Sequence, residues 1–111
     1  MIKKLYKNFL NSLNGLKVVF KENSFRLEIL LGLFLFPYIL FSNNEFILKM
    51  IMLILYLLLL AFEIMNTSIE KLCDKMTKDF DDDIKKIKDL SSASVFAVLI
   101  TLLVIFMISL F

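Results

Sequence analysis

The sequence contains no histidine and no tryptophan, only one cysteine (Cys73) and only two glycines (Gly15 and Gly32). A lone thiol without histidine leaves no basis for a disulfide framework, a zinc site or histidine-based catalysis. Two isolated glycines form neither a P-loop nor a dinucleotide-binding fingerprint. Any chemistry must therefore use carboxylates, lysines, amides and hydroxyls.

Polar residues are sparse for a chain of 111 residues, because 59% of them are hydrophobic and the mean hydropathy is +0.82. This composition predicts a single integral-membrane domain over residues 1–111 and an all-α fold. Asn23 or Ser24 is expected to cap the first span. The predicted elements are a surface helix at 1–21, spans at 25–42, 46–77 and 89–111, and a charged loop at 78–88.

Positive charge is distributed unevenly along the chain. Lysines and an arginine cluster between Lys3 and Arg26, lysines cluster again between Lys71 and Lys88, only Lys49 lies between these clusters, and none follows them. The positive-inside rule then places the N-terminus and the second loop in the cytoplasm and the C-terminus outside. The second span continues beyond the bilayer as a cytoplasmic extension.

The most informative stretch is Glu63 to Asp74, which follows a long apolar run. On a helix, Glu63, Asn66, Glu70 and Asp74 fall within an arc of about 80° and form a polar stripe. A single acid here would be explained by a helix end that reaches water. Three acids and an amide on one face favour a functional site, because ionisable groups in a membrane are costly.

Further polar clusters are expected at the same cytoplasmic level, namely Glu22 with Arg26 and Glu28, and Lys88 with Asp89 and Ser92. Carboxylates from several helices at one depth suit Mg²⁺, and lysines beside them suit phosphates. The residues thus predict a cation and phosphate site at the membrane interface. Three spans cannot enclose such a site alone, so an oligomer is expected.

Three strings of the sequence resemble the signature of the small prokaryotic diacylglycerol kinase family. The most specific runs from Glu63 to Asp74 in the form E-x-x-N-x-x-I-E-x-x-x-D, and the others are Glu22 to Glu28 and Lys88 to Ser92. The resemblance covers nearly the whole chain. It implies a homotrimer with shared active sites in the bacterial cytoplasmic (inner) membrane. It also implies transfer of the γ-phosphoryl group of MgATP to diacylglycerol, which gives phosphatidic acid for phospholipid metabolism.

The resemblance also implies residue roles. Glu63 matches the general base at the lipid hydroxyl, and Glu22 and Glu70 match Mg²⁺-binding carboxylates that also contact the nucleotide. Asp74 matches a structural support. The other nucleotide-binding positions matched are Lys4, Asn66, Asp79, Phe80, Asp81, Lys88 and Asp89, and the other lipid-substrate positions are Arg26, Glu28 and Ser92.

The sequence also allows other functions. Close relatives of the family phosphorylate undecaprenol, but these tend to carry a histidine where this chain has Glu28, which favours diacylglycerol. A small proton-coupled transporter would also use a membrane glutamate, yet it predicts an isolated acid without phosphate-binding lysines. A purely structural anchor predicts that Glu63 and Glu70 are dispensable. No nucleic-acid partner is expected.

Overall fold

The computed structural model describes residues 1–111 and consists of four α-helices joined by short connections. These are α1 (Ile2–Val19), α2 (Asn23–Phe41), α3 (Phe46–Met76) and α4 (Asp82–Ser109). The last three are long and apolar enough to cross a membrane. The predicted all-α fold with three candidate spans is therefore confirmed.

The longest helix is α3, which runs without interruption for 31 residues. At 1.5 Å per residue it measures about 46 Å, whereas the hydrocarbon core of a bilayer is about 30 Å thick. About 16 Å of the helix, or about eleven residues, therefore exceeds that thickness. The polar stripe lies toward the C-terminal end of α3, which is the end expected to extend beyond the layer.

Two helix starts differ from the sequence-based expectation. The first residue of α2 is Asn23 and its N-cap is Glu22, with no side-chain capping bond, so the predicted cap at Asn23 or Ser24 is wrong. The fourth helix begins at Asp82, not at 89, because Asp81 Oδ1 accepts the N–H groups of Asp83 and Ile84 at 2.9 and 3.1 Å. Acids in the first turn also favour an early start, since they interact well with the helix dipole.

The core forms where α3 packs against both α2 and α4. Its buried side chains come from all three of these helices and are Leu35, Ile39, Met52, Leu59 and Leu102. At the end remote from the stripe, the hydroxyls of Tyr38 and Ser109 lie 2.9 Å apart, and the Tyr38 ring contacts Phe106 edge-on. These contacts attach the last turn of α4 to α2.

The first helix contributes little to this bundle, since Val19 is its only buried residue. Two contacts define the joint between α1 and α2. The Phe20 ring packs edge-on against Phe25 with centroids 5.1 Å apart, and Arg26 Nε donates a hydrogen bond to the Phe20 carbonyl at 2.6 Å. The joint fixes the direction in which α1 leaves the bundle.

A glycine permits the close approach of α2 and α3. The Tyr56 side chain occupies the space where a Cβ at Gly32 would lie, and its hydroxyl donates to the Glu28 carbonyl at 2.9 Å. Small residues at helix contacts allow such packing in membranes. Any larger residue at Gly32 must displace Tyr56.

We expect Gly32→Ala to destabilise the protein in detergent, because the new methyl group forces Tyr56 off its hydrogen bond, at a cost of about 1 kcal/mol. Thermal unfolding in micelles measures the effect. The matched control is Gly15→Ala in α1, where a Cβ meets nothing within 4 Å and the higher helix propensity of alanine should leave stability equal or raised. Equal unfolding temperatures for the two variants would contradict this account.

Candidate active site

The polar stripe passes from buried to exposed along α3. Glu63 and Asn66 are 4% and 6% exposed, Glu70 is half-buried and Asp74 is exposed. The buried end contacts α2 through Glu63, and the exposed end contacts α4 through Asp74. The stripe therefore links the two other spanning helices at one membrane edge.

Two side chains of α2 meet the carboxyl group of Glu63. The Ser24 hydroxyl donates to Glu63 Oε1 at 2.6 Å, and the carboxyl group of Glu28 lies beside that of Glu63. Glu28 Oε2 is buried and has no hydrogen-bond partner. Two adjacent carboxylates repel each other unless a proton, a donor or a cation lies between them. Such an arrangement is costly for stability alone and points to a functional site.

Asn66 is the next residue of the stripe. The nitrogen of its side-chain amide makes a hydrogen bond, and the oxygen has no partner. Asn66 Nδ2 donates to Glu70 Oε1 at 3.0 Å, while Asn66 Oδ1 is buried without a partner. A buried acceptor left unsatisfied costs free energy, so it calls for an explanation such as a missing ligand. Asn66 thus orients Glu70 and offers an oxygen to a donor or cation.

Of the two predicted metal ligands, Glu22 is brought to the turn of α3 that follows the other. Glu22 makes an ion pair with Lys71 at 3.2 Å, which brings it to the turn of α3 that follows Glu70. No group of three or more acidic, cysteine or histidine side chains could hold a metal within this chain. Mg²⁺ needs no such cage, because it is usually bound by one or two carboxylates plus substrate phosphates and water. Glu22 and Glu70 suit that mode.

One lysine of α4 reaches the exposed end of the stripe. Lys88 Nζ forms an ion pair with Asp74 Oδ1. Asp89 instead pairs with Lys85 at 2.7 Å, and Ser92 is exposed. The structure therefore brings Lys88 to the stripe and leaves Asp89 and Ser92 on the surface of α4.

The connection between α3 and α4 carries three predicted nucleotide-binding residues. Asp79 donates its backbone N–H to Thr77 Oγ1 at 3.1 Å, Phe80 is 79% exposed, and Asp81 caps α4. None of these side chains has a hydrogen bond or ion pair with the stripe. They line a pocket together with Lys88, the lysine that reaches the stripe. Lys4 is distant, about 24 Å along the axis of α1 from Phe20. Within one chain, Lys4 is therefore apart from the acids.

An apolar groove runs between α3 and α4 beside the stripe. Its volume is about 500 Å³, and it is lined by Ala61, Phe62, Met65, Ile69, Ile87, Leu90, Ser91 and Ser94. The first three of these residues flank Glu63 in sequence. The groove therefore lies at the same depth as the buried carboxylate.

Sequence reasoning misses Ser24 and Lys71, the residues that contact Glu63 and Glu22. One signal is available for Ser24, since residues 24 and 28 are four apart and so share a helix face. Lys71 directly follows Glu70, but nothing local shows that it meets Glu22 on another helix.

We expect Asp81→Ala to destabilise α4 by about 1 kcal/mol, because it removes the N-cap acceptor for two backbone N–H groups. Asp81→Asn keeps an acceptor at the same place and should retain the stability of the native chain. Amide hydrogen exchange in the first turn of α4 and thermal unfolding in micelles measure the difference. If both variants were equally destabilised, the charge of Asp81 and not its capping bond would be what matters.

Comparison with known proteins identifies the family of this chain. The family model for prokaryotic diacylglycerol kinase matches residues 10–110, which include every candidate residue except Lys4. A diacylglycerol kinase of Haemophilus influenzae is 36% identical over 89 residues, which cover 79% of this chain and 75% of that protein. The resemblance of the three sequence strings is thereby confirmed, and with three helices able to span a membrane the protein is a multi-pass membrane enzyme of the diacylglycerol kinase type. The chain belongs to the prokaryotic diacylglycerol kinase family.

Proposed function

We propose that this protein transfers the γ-phosphoryl group of ATP to the hydroxyl of diacylglycerol, with phosphatidic acid and ADP as products. The observation that carries the proposal is the buried Glu63 carboxylate at the end of an apolar span, with a hydroxyl donor on Oε1. A general base must lie within hydrogen-bonding reach of the proton that it removes. A lipid hydroxyl at the membrane edge is at the depth of this carboxylate.

In the proposed reaction, Glu63 takes the proton of the acceptor hydroxyl through Oε2 while the hydroxyl oxygen forms a bond to the γ-phosphorus. The bond between that phosphorus and the oxygen that bridges to the β-phosphate breaks, and ADP leaves. Phosphoryl transfer depends mainly on positioning and on charge neutralisation, so it needs no covalent intermediate on the enzyme.

Glu22 and Glu70 are the proposed ligands of Mg²⁺, with Asn66 orienting Glu70. The bound ion would neutralise charge on the β- and γ-phosphates. Lys88 is the proposed phosphate contact, since its ammonium group already lies at the stripe and can exchange Asp74 for a phosphate oxygen. The surface residues that are proposed to contact the nucleotide are Lys4, Asp79, Phe80, Asp81 and Asp89.

Two features favour diacylglycerol as the acceptor. Residues 25–28 resemble the diacylglycerol branch of the family, and the relative from Haemophilus influenzae is called a diacylglycerol kinase. The groove between α3 and α4 offers an apolar surface at the depth of Glu63 to the chains of either acceptor. Arg26, Glu28 and Ser92 are the proposed contacts or supports of the lipid headgroup. Undecaprenol is the alternative acceptor.

We further propose a homotrimer in the bacterial inner membrane, with the N-terminus in the cytoplasm and the C-terminus outside. The charge distribution supports this orientation. The oligomer is supported by the family resemblance and by the separation of Lys4 from the acids within one chain, since Lys4 lies about 24 Å along α1 from its junction with α2. In this arrangement α1 lies on the membrane surface, where its exposed apolar residues, among them Leu5, Phe9 and Leu13, contact lipid.

The test is phosphate transfer from ATP in mixed micelles that offer diacylglycerol and undecaprenol side by side. We expect the native chain with Mg²⁺ to phosphorylate diacylglycerol, and Glu63→Gln to lower the rate by about a hundredfold or more, within the range for removal of a general base. The rate should vanish with EDTA and return with excess Mg²⁺.

The matched control is Glu45→Gln, which changes an exposed glutamate at the opposite end of the same helix. We expect it to retain the native rate. Preferential phosphorylation of undecaprenol would reassign the acceptor. A folded native chain that phosphorylates neither lipid would refute the kinase assignment for this chain and leave proton-coupled transport to be tested.

We expect Lys88→Met to raise the KM for ATP about tenfold or more, because a charge-assisted contact to the phosphates contributes about 1.5–3 kcal/mol. Lys86→Met removes an equal charge two residues away, from an exposed lysine without an ion pair, and should leave the KM within about twofold. Steady-state kinetics over a range of ATP concentrations measures both. If both variants changed the KM for ATP equally little, Lys88 would have no role at the phosphates and would only form its ion pair with Asp74.

A further inference from the structure

Ser24 differs from Ser94 and Ser109 in that its hydroxyl makes no hydrogen bond within its own helix. Ser94 and Ser109 each donate to a carbonyl three residues earlier in their own helix, at 2.6 and 2.5 Å, and Ser109 also lies 2.9 Å from the Tyr38 hydroxyl of α2. Ser24 instead donates across the bundle to Glu63, 39 residues away in the chain. Its hydroxyl therefore serves another helix and not its own.

The position of Ser24 explains this difference. It is the second residue of α2, so the carbonyls three and four residues earlier belong to Lys21 and Phe20, which precede the helix. Serines inside a helix commonly bond back to carbonyls at this spacing. Here the Phe20 carbonyl already accepts Arg26 Nε at 2.6 Å. Because its own helix has no acceptor at these positions, the Ser24 hydroxyl donates to Glu63 of α3.

The bond matters because Ser24 is the one neutral donor that α2 places on the carboxyl group of Glu63. The terminal torsion of a glutamate is broad, so a carboxylate without a fixed partner samples many orientations. Glu28, the other α2 side chain beside it, is itself an acid. Ser24 supplies a donor from α2, and a hydrogen bond to a charged acceptor is among the stronger ones.

We propose that Ser24 is a positioning residue for the reaction, and this inference rests on the proposed function of Glu63. Its hydroxyl holds Glu63 Oε1, so that Oε2 faces the acceptor hydroxyl. Ser24 is itself exposed, so its replacement leaves no cavity in the core.

The experiment begins with lipid phosphorylation by the native chain and by Glu63→Gln, which tests the proposed function separately. We then expect Ser24→Ala to lower kcat about tenfold or more, the scale of one hydrogen bond to a charged group, with the KM values for ATP and lipid unchanged. Ser24→Thr keeps the hydroxyl and should retain most of kcat. The matched control is Ser42→Ala, just beyond the other end of α2, which should match the native chain.

A second background distinguishes positioning from a general effect on the fold. Glu63→Asp shortens the side chain out of reach of the Ser24 hydroxyl, so adding Ser24→Ala to it should change kcat by less than about twofold. An equal loss in both backgrounds would overturn the proposal, as would a native kcat for Ser24→Ala. If Ser24→Ala does not fold, Ser24→Cys, with its weaker donor, takes its place in both backgrounds. A native chain inactive on lipid would instead overturn the proposed function.

Discussion

The structure depends on the contact between the first turns of α2 and the second half of α3. A carboxylate buried at the edge of an apolar layer is costly unless it has a partner, and Glu63 obtains one from Ser24. The start of α2 is held in place by two further bonds, from Tyr56 to the Glu28 carbonyl and from Arg26 to the Phe20 carbonyl. The site is therefore assembled by packing between helices and not by a loop.

This construction suits a chain without histidine or a glycine-rich loop. Backbone N–H groups in a glycine-rich turn cradle phosphates in many nucleotide-binding proteins, and in the reaction proposed above side chains take that role. A lysine on α4 and acids on α3 and at the start of α2 supply the charges. The grouping of these charges also distinguishes the site from that of a transporter with one isolated membrane acid.

Local patterns predict much of this architecture, since long apolar runs define spans and the spacing of Glu63, Asn66, Glu70 and Asp74 defines a helix face. Such patterns do not predict the start of α4, because a dense run of charges is typical of a loop. The aspartate at its N-cap is nevertheless a residue that favours a helix start. The hydrogen bond from Ser24 to Glu63 is not predicted by local patterns either, for a different reason. It depends on how α2 is rotated against α3, and no pattern within either helix fixes that rotation.

The two attachments of α4 have a mechanical consequence. Lys88 joins it to α3 near one membrane edge, and Ser109 joins it to α2 near the other. Between these attachments α4 packs along α3 around Leu102. In the proposed reaction, a phosphate that takes Lys88 from Asp74 would remove the contact at one end of α4 and leave the contact at Ser109 in place. The proposed nucleotide contact would therefore act on the end of α4 that lines the groove beside α3.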